Sequence, residues 1–225
     1  IATGVIDGSF NLTKAGGGSL TVSATNSYSD NTLLNAGTLT ASGGFAALGN
    51  GTIIVASGAT LGLTGNTNLG NPITIGGTGV GGLGALRSVS GNNVYSGTAT
   101  LQATSTFGVD ANSLTIAGAL SGSFGLTKAG SGVLILAPTG TYNLGQSATV
   151  SGGTLQVDGD FASNVGGVTI GAAGNLSGTG MVRDITSNGG TRSPGGSAGI
   201  VYAVGVTLDG SSSFNEEIDG TAVGS

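Results

Sequence analysis

The chain repeats part of its own sequence, and this repeat constrains the fold more than any other feature. Gly8–Val22 matches Gly122–Leu136, which lies 114 residues further along (122 − 8). Tyr28 matches Tyr142 at the same separation. Within each repeated unit, a strand-and-turn segment recurs about every 20 residues, a period that is typical of solenoid proteins. The repeat therefore predicts stacked coils rather than a single layered domain.

The segments between the glycines alternate apolar and polar residues, which is the pattern of half-buried β-strands. Clear examples are Ile73–Ile75, Ser113–Ile116, Thr154–Val157 and Val168–Ile170. No segment shows the 3.6-residue period of a helix, and the 48 glycines would penalise helices. A short strand with one apolar face can bury that face only against a neighbouring coil. The pattern thus predicts strands that stack along an axis.

We predict an all-β fold, a right-handed single-stranded parallel β-helix of roughly ten coils. It is expected to run through residues 1–225 as one continuous β-helix fragment, made of two duplicated units at about 8–121 and 122–225. The alternative is an antiparallel β-sandwich, which normally contains hairpin turns and large aromatic core residues. Aromatic residues make up only 4% of this chain, and Asn-Gly pairs occur only at Asn50-Gly51 and Asn188-Gly189.

Composition excludes several classes of function. The chain has no cysteine and no histidine, so it cannot form a Ser-His-Asp triad, a thiol nucleophile, a histidine zinc site or a disulfide. Its five basic residues are scattered, which argues against a nucleic-acid surface: Lys14, Arg87, Lys128, Arg183 and Arg192. The longest apolar run, Val133–Ala137, is far shorter than the ~20 residues of a membrane-spanning helix. We expect no enzymatic activity, no catalytic residues, no cofactor, no bound metal and no nucleic-acid partner.

Acidic residues are the first candidates for a site. Asp158 and Asp160 would share one face of a strand, as paired catalytic carboxylates could, but Asp-Gly at a solvated corner is the favoured interpretation. Glu216 and Glu217 are adjacent and would point in opposite directions. Scattered aspartates could at most bind calcium weakly at exposed turns: Asp7, Asp30, Asp110, Asp158, Asp184, Asp209 and Asp219.

Three other features have ordinary structural interpretations. Gly76–Gly84 is glycine-rich like a phosphate-binding loop, yet no Lys-Ser/Thr pair or helix follows it, so we interpret it as an insertion between coils. Lys14 and Lys128 recur in both units and are expected to be charged corners that keep rods apart. Tyr28 and Tyr142 are expected to pack beside turns rather than to contact sugars.

Both units resemble the autotransporter-associated β-strand repeat. The second contains Gly125–Leu136, then Tyr142, then Ala148–Val157, and the first contains Asn11–Val22, then Asn35–Thr40. Further stretches are similar to late coils of such passengers, namely Gly178–Gly180, Ser193–Gly199, Val206–Gly210 and Glu217–Gly220. Gly190–Ser193 lacks the apolar residue expected after Gly-Gly-Thr, so we expect its coil to be irregular.

The resemblance implies the β-helical passenger stalk of a type V secreted protein. Such a stalk would lie outside the cell or on the bacterial surface, after export through the periplasm and outer membrane. We expect an outer-membrane β-barrel translocator in the full-length protein, although these 225 residues contain none. Either the barrel was removed, or the chain belongs to the large repeat proteins that carry the motif without one. The chain begins at Ile1 without a signal peptide, which we interpret as a fragment of a longer protein.

Three functions follow from these expectations. The first is a structural and adhesive stalk that displays surfaces to host or cell-surface glycans or proteins through weak, multivalent contacts. The alternative is a self-assembling extracellular scaffold, formed by stacking of open strand edges. The third is a β-helical enzyme acting on polysaccharides, which would require Arg183 or Arg192 to face two or more carboxylates in one groove.

Overall fold

The computed structural model describes residues 1–43, 48–193 and 201–215. In this part the chain forms an all-β solenoid of about nine turns, with one short 3₁₀ turn at Val80–Gly82. All the ladders between its strands are parallel, for example β1 (Leu12–Lys14) with β3 (Thr32–Leu34). The predicted parallel solenoid is confirmed, and the antiparallel sandwich is wrong. None of the described residues forms a helix long and apolar enough to cross a membrane.

The strands form three faces along the solenoid axis. The first face contains β1, β3, β5 (Ile53–Val55), β8 (Ile73–Gly77), the start of β11 (Ala99–Val109), β13 (Leu120–Gly122), β16 (Tyr142–Leu144), β19 (Asp160–Phe161) and the starts of β22 (Met181–Asn188) and β24 (Tyr202–Leu208). The second contains β2 (Ser19–Val22), β4 (Thr38–Ser42), β6 (Thr60–Thr64), β9 (Leu86–Ser90), β14 (Leu126–Ala129), β17 (Ala148–Val150), β20 (Val168–Gly171) and the later parts of β11, β22 and β24. The third contains β7 (Asn68–Leu69), β10 (Asn92–Tyr95), β12 (Ser113–Ile116), β15 (Val133–Leu136), β18 (Gly153–Val157), β21 (Gly174–Ser177), β23 (Thr191–Arg192) and β25 (Ser213–Phe214).

The coils have a nearly constant length, apart from one insertion. Leu12 pairs with Thr32, Thr32 with Ile53 and Ile53 with Ile73, which are steps of 20, 21 and 20 residues. The next step, from Ile73 to Ala99, is 26 residues. The extra length lies between β8 and β9 and includes the 3₁₀ turn, so the predicted Gly76–Gly84 insertion is present.

The third face shows how alternation builds the core. Leu114, Leu134, Leu155 and Leu176 are in-register partners in successive coils, and all four are fully buried. The residues between the inward positions, such as Gln156, lie on the outer side of the strand and are half-buried. Each leucine removes its apolar surface from water only because a neighbouring coil covers it, which is why stacking is favoured.

The two matched sequence segments occupy different faces of the solenoid. Leu12 lies on the first face, and five pairing steps lead from it to Leu120 of β13. Leu126, its match in sequence, comes one strand later, in β14 on the second face. The separation of 114 residues between Leu12 and Leu126 therefore equals five complete coils plus the step from the first face to the second.

Two matched glycines form tight corners between coils. Gly37 and Gly153 have φ angles of +71° and +63°, in the left-handed region that side chains other than glycine rarely adopt. A Cβ atom at Gly153 would collide with the carbonyl oxygen of Gly130, and one at Gly37 with that of Gly18. Glycine is required at both corners because the neighbouring coil leaves no room for a side chain.

Gly153→Ala should therefore destabilise the protein strongly. We expect the free energy of unfolding to fall by about 2 kcal/mol or more, because backbone strain and a backbone collision add together. Urea denaturation measures the change. Gly152→Ala is the matched control, since a Cβ at Gly152 has its nearest neighbour at 3.6 Å and its φ lies outside the left-handed region. Equal stability of the two variants would contradict this account.

Candidate functional site

Asp158 and Asp160 lie at the corner where the third face leads into the first. Asp158 is half-buried, and its carboxylate accepts hydrogen bonds from Gln156 Nε2 at 2.7 Å and from the Thr179 backbone N–H at 3.2 Å. Asp160 is exposed and accepts a hydrogen bond from the Ala162 backbone N–H at 2.8 Å. The two carboxylates thus bond one side chain of the preceding strand and two backbone N–H groups, in agreement with the interpretation as a solvated corner.

An open groove of about 310 Å³ lies beside these two carboxylates. Asp160, Met181 and Tyr202 are in-register partners in successive coils, so the groove follows the solenoid axis. Tyr202 is 58% exposed and Met181 is also exposed. Neither residue stands out in the sequence, because both are outward positions in ordinary strands. The available signal was the repeated spacing of 21 residues, from Asp160 to Met181 and from Met181 to Tyr202.

The backbone of the groove is already engaged in pairing between coils. The N–H of Gly180 donates to Val157 at 2.8 Å, and the N–H of Tyr202 donates to Gly180 at 3.1 Å. A ligand would therefore meet side chains: the two carboxylates, the Thr179 hydroxyl, the Met181 thioether and the phenol of Tyr202. This set can accept hydrogen bonds from hydroxyl groups and can stack on an apolar surface.

Within the described residues, Arg183 and Arg192 do not form the arginine and carboxylate cluster that an enzyme acting on polysaccharides would need. Arg183 lies 3.6 Å from the carboxylate of its neighbour Asp184, and both side chains are about half exposed. Arg192 is only 9% exposed, stands in the column of buried leucines directly after Leu176, and lies 5.1 Å from the centre of the Phe214 ring. In the described residues, neither arginine forms an ion pair with two carboxylates. The short strand β23 agrees with the irregular coil expected there.

Other acidic candidates divide into two groups. Glu216, Glu217 and Asp219 lie outside the described residues. Asp209 is exposed, and the hydroxyl of Ser212, 2.7 Å away, contributes most to lowering its carboxyl pKa. Within the described ranges, no three acidic side chains are grouped closely enough to hold a metal ion.

The repeated tyrosines are core residues. Tyr28 and Tyr142 are buried; the Tyr142 hydroxyl donates to the carbonyl oxygens of Ile116 at 2.7 Å and Ala137 at 2.8 Å, and burial raises the pKa of both phenols. Tyr95 is buried in the same way, and its pKa is also raised. The phenols of Tyr142 and Tyr95 join coils from inside. Because Tyr28 and Tyr142 are both buried, their alternative role as sugar-contacting surfaces is wrong.

The expectation of exposed, charged corners at the two lysines is also wrong. Lys128 is 1% exposed, and its Nζ donates to the carbonyl oxygens of Ala129, Gly130 and Gly152 at 3.0, 2.9 and 3.0 Å. Burial lowers the pKa of Lys128 from 10.5 to about 8, because the charged form loses its hydration. The three carbonyl oxygens offset part of that cost by bonding the ammonium group.

Lys14 makes the same contacts in the first unit. It is 8% exposed, and its Nζ donates to the carbonyl oxygens of Ala15, Gly16 and Ala36 at 3.0, 2.7 and 2.9 Å. The last of these carbonyls belongs to the following coil, as that of Gly152 does for Lys128. The two lysines are therefore internal cross-links rather than surface charges.

Lys128→Met tests the burial of the amine through its pH dependence. The pKa is about 8 in the folded state and 10.5 in the unfolded chain, so the unfolded state binds more protons between these values and native stability rises with pH. From about pH 8 to about pH 10, the unfolding free energy of the original protein should increase relative to K128M, with a slope of at most about 1.4 kcal/mol per pH unit. Urea unfolding at each pH measures the difference. A difference that is constant or falls with pH would show that the amine is not desolvated.

Comparison with family models places a known repeat on these segments. The passenger-associated transport repeat matches residues 12–41 and 126–157. Each match begins in the lysine-bearing strand and ends in the following coil. No curated protein and no solved structure matches the chain. The resemblance inferred from the sequence is confirmed, and the chain is a parallel β-solenoid that carries two passenger-associated transport repeats, as an autotransporter passenger domain does.

Proposed function

We propose that this chain is a structural and adhesive stalk of an exported passenger. The observation that supports the proposal is the continuity of the parallel ladders, which link coil to coil from Leu12 on the first face to Phe214 on the third. About nine turns spaced by roughly 4.8 Å give a rod about 40 Å long. Passenger repeats indicate export to the cell surface or secretion. We further propose that export crosses the periplasm and outer membrane and that a β-barrel translocator serves it.

The outer surface suits repeated weak contacts. Five threonines are in-register partners on the second face and are half-buried or exposed, namely Thr127, Thr149, Thr169, Thr186 and Thr207. Such a ladder repeats a hydroxyl group at every coil, about 4.8 Å apart. A glycan lying along the rod would meet several of these groups together, so weak contacts would add. The stalk as proposed has no enzymatic activity.

The groove beside Tyr202 is the place where we expect the adhesive contact to be strongest. Tyr202→Ala should weaken binding of the purified protein to immobilised neutral oligosaccharides by about tenfold, because the exposed aromatic ring is lost. Val165→Ala removes another exposed apolar side chain, 63% exposed and not part of the groove, and should leave binding unchanged. Biolayer interferometry on dextran and chitooligosaccharide surfaces measures both. Equal binding by the original protein and both variants would remove the groove from the proposal.

A second candidate function, a self-assembling scaffold, is favoured by the last coil that the structure describes. Val206, Leu208 and Phe214 follow the inward positions of Ile185, Ser187 and Arg192, yet all three are more than 40% exposed. Exposed apolar residues on these last described strands are a surface on which another coil can stack.

Val206→Asp combined with Leu208→Asp tests this second function. If rods stack through this surface, the original protein should form larger species as its concentration rises, and the doubly substituted protein should remain monomeric because charge would be buried in the contact. Light scattering after size exclusion measures the mass. A monomeric original protein at all concentrations would leave only the stalk function.

A further inference from the structure

We propose that Lys14 and Lys128 are lysine bridges, which couple the folding of the coil that bears the lysine to that of the next coil. In each bridge, one Nζ contacts two carbonyl oxygens of its own turn and one from the following coil. The third hydrogen bond exists only when the second coil has docked. This inference goes beyond the stalk function and does not depend on it.

The surrounding atoms confirm that each bridge joins two coils. The carbonyl oxygen of Lys128 accepts two hydrogen bonds from Ser151, from its backbone N–H and from its Oγ, both at 2.9 Å. In the first unit, the carbonyl oxygen of Lys14 accepts a hydrogen bond from the Asn35 backbone N–H, also at 2.9 Å. Each lysine thus donates to the next turn and accepts from it, so neither coil can shift its register alone.

The corner glycines make room for the bridge. A Cβ atom on Gly153 would lie 2.9 Å from the Lys128 Nζ. It would also collide with the carbonyl oxygen of Gly130, and a Cβ on Gly37 would lie 2.6 Å from that of Gly16, the residue that matches Gly130 in the first unit. The lysine and the left-handed glycine of the next coil are therefore parts of one arrangement, found twice in the chain.

In the part of the chain that the structure describes, carbonyl groups compensate the charge of each lysine, and no acid pairs with it. In the described residues, ion pairs within 4.0 Å involve only arginines, Arg87 with Asp110 and Arg183 with Asp184. A buried ammonium group without a carboxylate partner is costly unless its hydrogen bonds are satisfied. Opening the second coil breaks one of the three hydrogen bonds of the ammonium group. That cost opposes separation of the two coils.

The family matches agree with this two-coil unit. Residues 12–41 and 126–157 each contain the lysine, its own turn and the acceptor carbonyl in the next coil. In a solenoid, stability is approximately the sum of each coil's own stability and its contacts with nearest neighbours. A strong link at one junction makes two coils open together, while its loss allows them to open separately.

Hydrogen exchange measured by mass spectrometry tests the coupling. In Lys128→Met, amide protection in residues 126–157 should fall by at least about tenfold, while residues 12–41 keep theirs within about twofold. Lys14→Met is the matched variant and should show the reverse pattern. A uniform loss over both segments would indicate general destabilisation and overturn the proposal, as would unchanged protection in both variants.

Two additional measurements keep the test decisive if a methionine variant does not fold. Lys128→Gln retains N–H donors on a shorter side chain and should lose less protection than Lys128→Ala, which has none. The original protein labelled with ¹⁵N-lysine needs no substitution, because it contains only two lysines. Both ammonium groups should give slowly exchanging NMR signals at neutral pH. Rapid exchange of both with water would show that the bridges do not form.

Discussion

The contact between one coil and the next determines nearly every other feature of this protein. Each strand pairs its backbone with the coils before and after it, and each inward side chain rests on its counterpart, as Leu134 does on Leu114 and Leu155. Because successive side chains of a strand point to opposite sides, a shift by one residue would turn apolar side chains outward. The tight glycine corners, the buried tyrosine hydroxyls and the lysine bridges all act to hold the register that this contact requires.

The regular part of the fold could be predicted because its signal is local. A strand such as Ile73–Ile75 or Val168–Ile170 shows its buried and exposed sides in three residues, and both segments lie in strands of the structure, β8 and β20. The coil period was also visible, since each coil repeats the same sequence of strand, glycine and strand. Handedness and the division into two units at about residue 122 remain predictions.

The parts that could not be predicted depend on partners one coil away. Nothing near Lys128 in sequence indicates that the carbonyl of Gly152 will receive its ammonium group, so a single lysine among glycines suggested an exposed corner. Arg192 was expected to make its coil irregular, yet nothing in the sequence indicates that it replaces a leucine inside the core. Only part of the groove could be predicted from the sequence. Asp158 and Asp160 were candidates, whereas Tyr202 is placed beside them only by its register with Met181.

The displacement of the second repeat by one face has a mechanical consequence. Lys14 ties coils together between β1 and β2, whereas Lys128 does so between β14 and β15, at a different edge of the three-faced rod. A sideways load stretches one edge of a rod and compresses the opposite side. Since the two cross-links do not share an edge, a pull that strains one leaves the other under less tension. The rod is thereby reinforced against flexing in more than one plane.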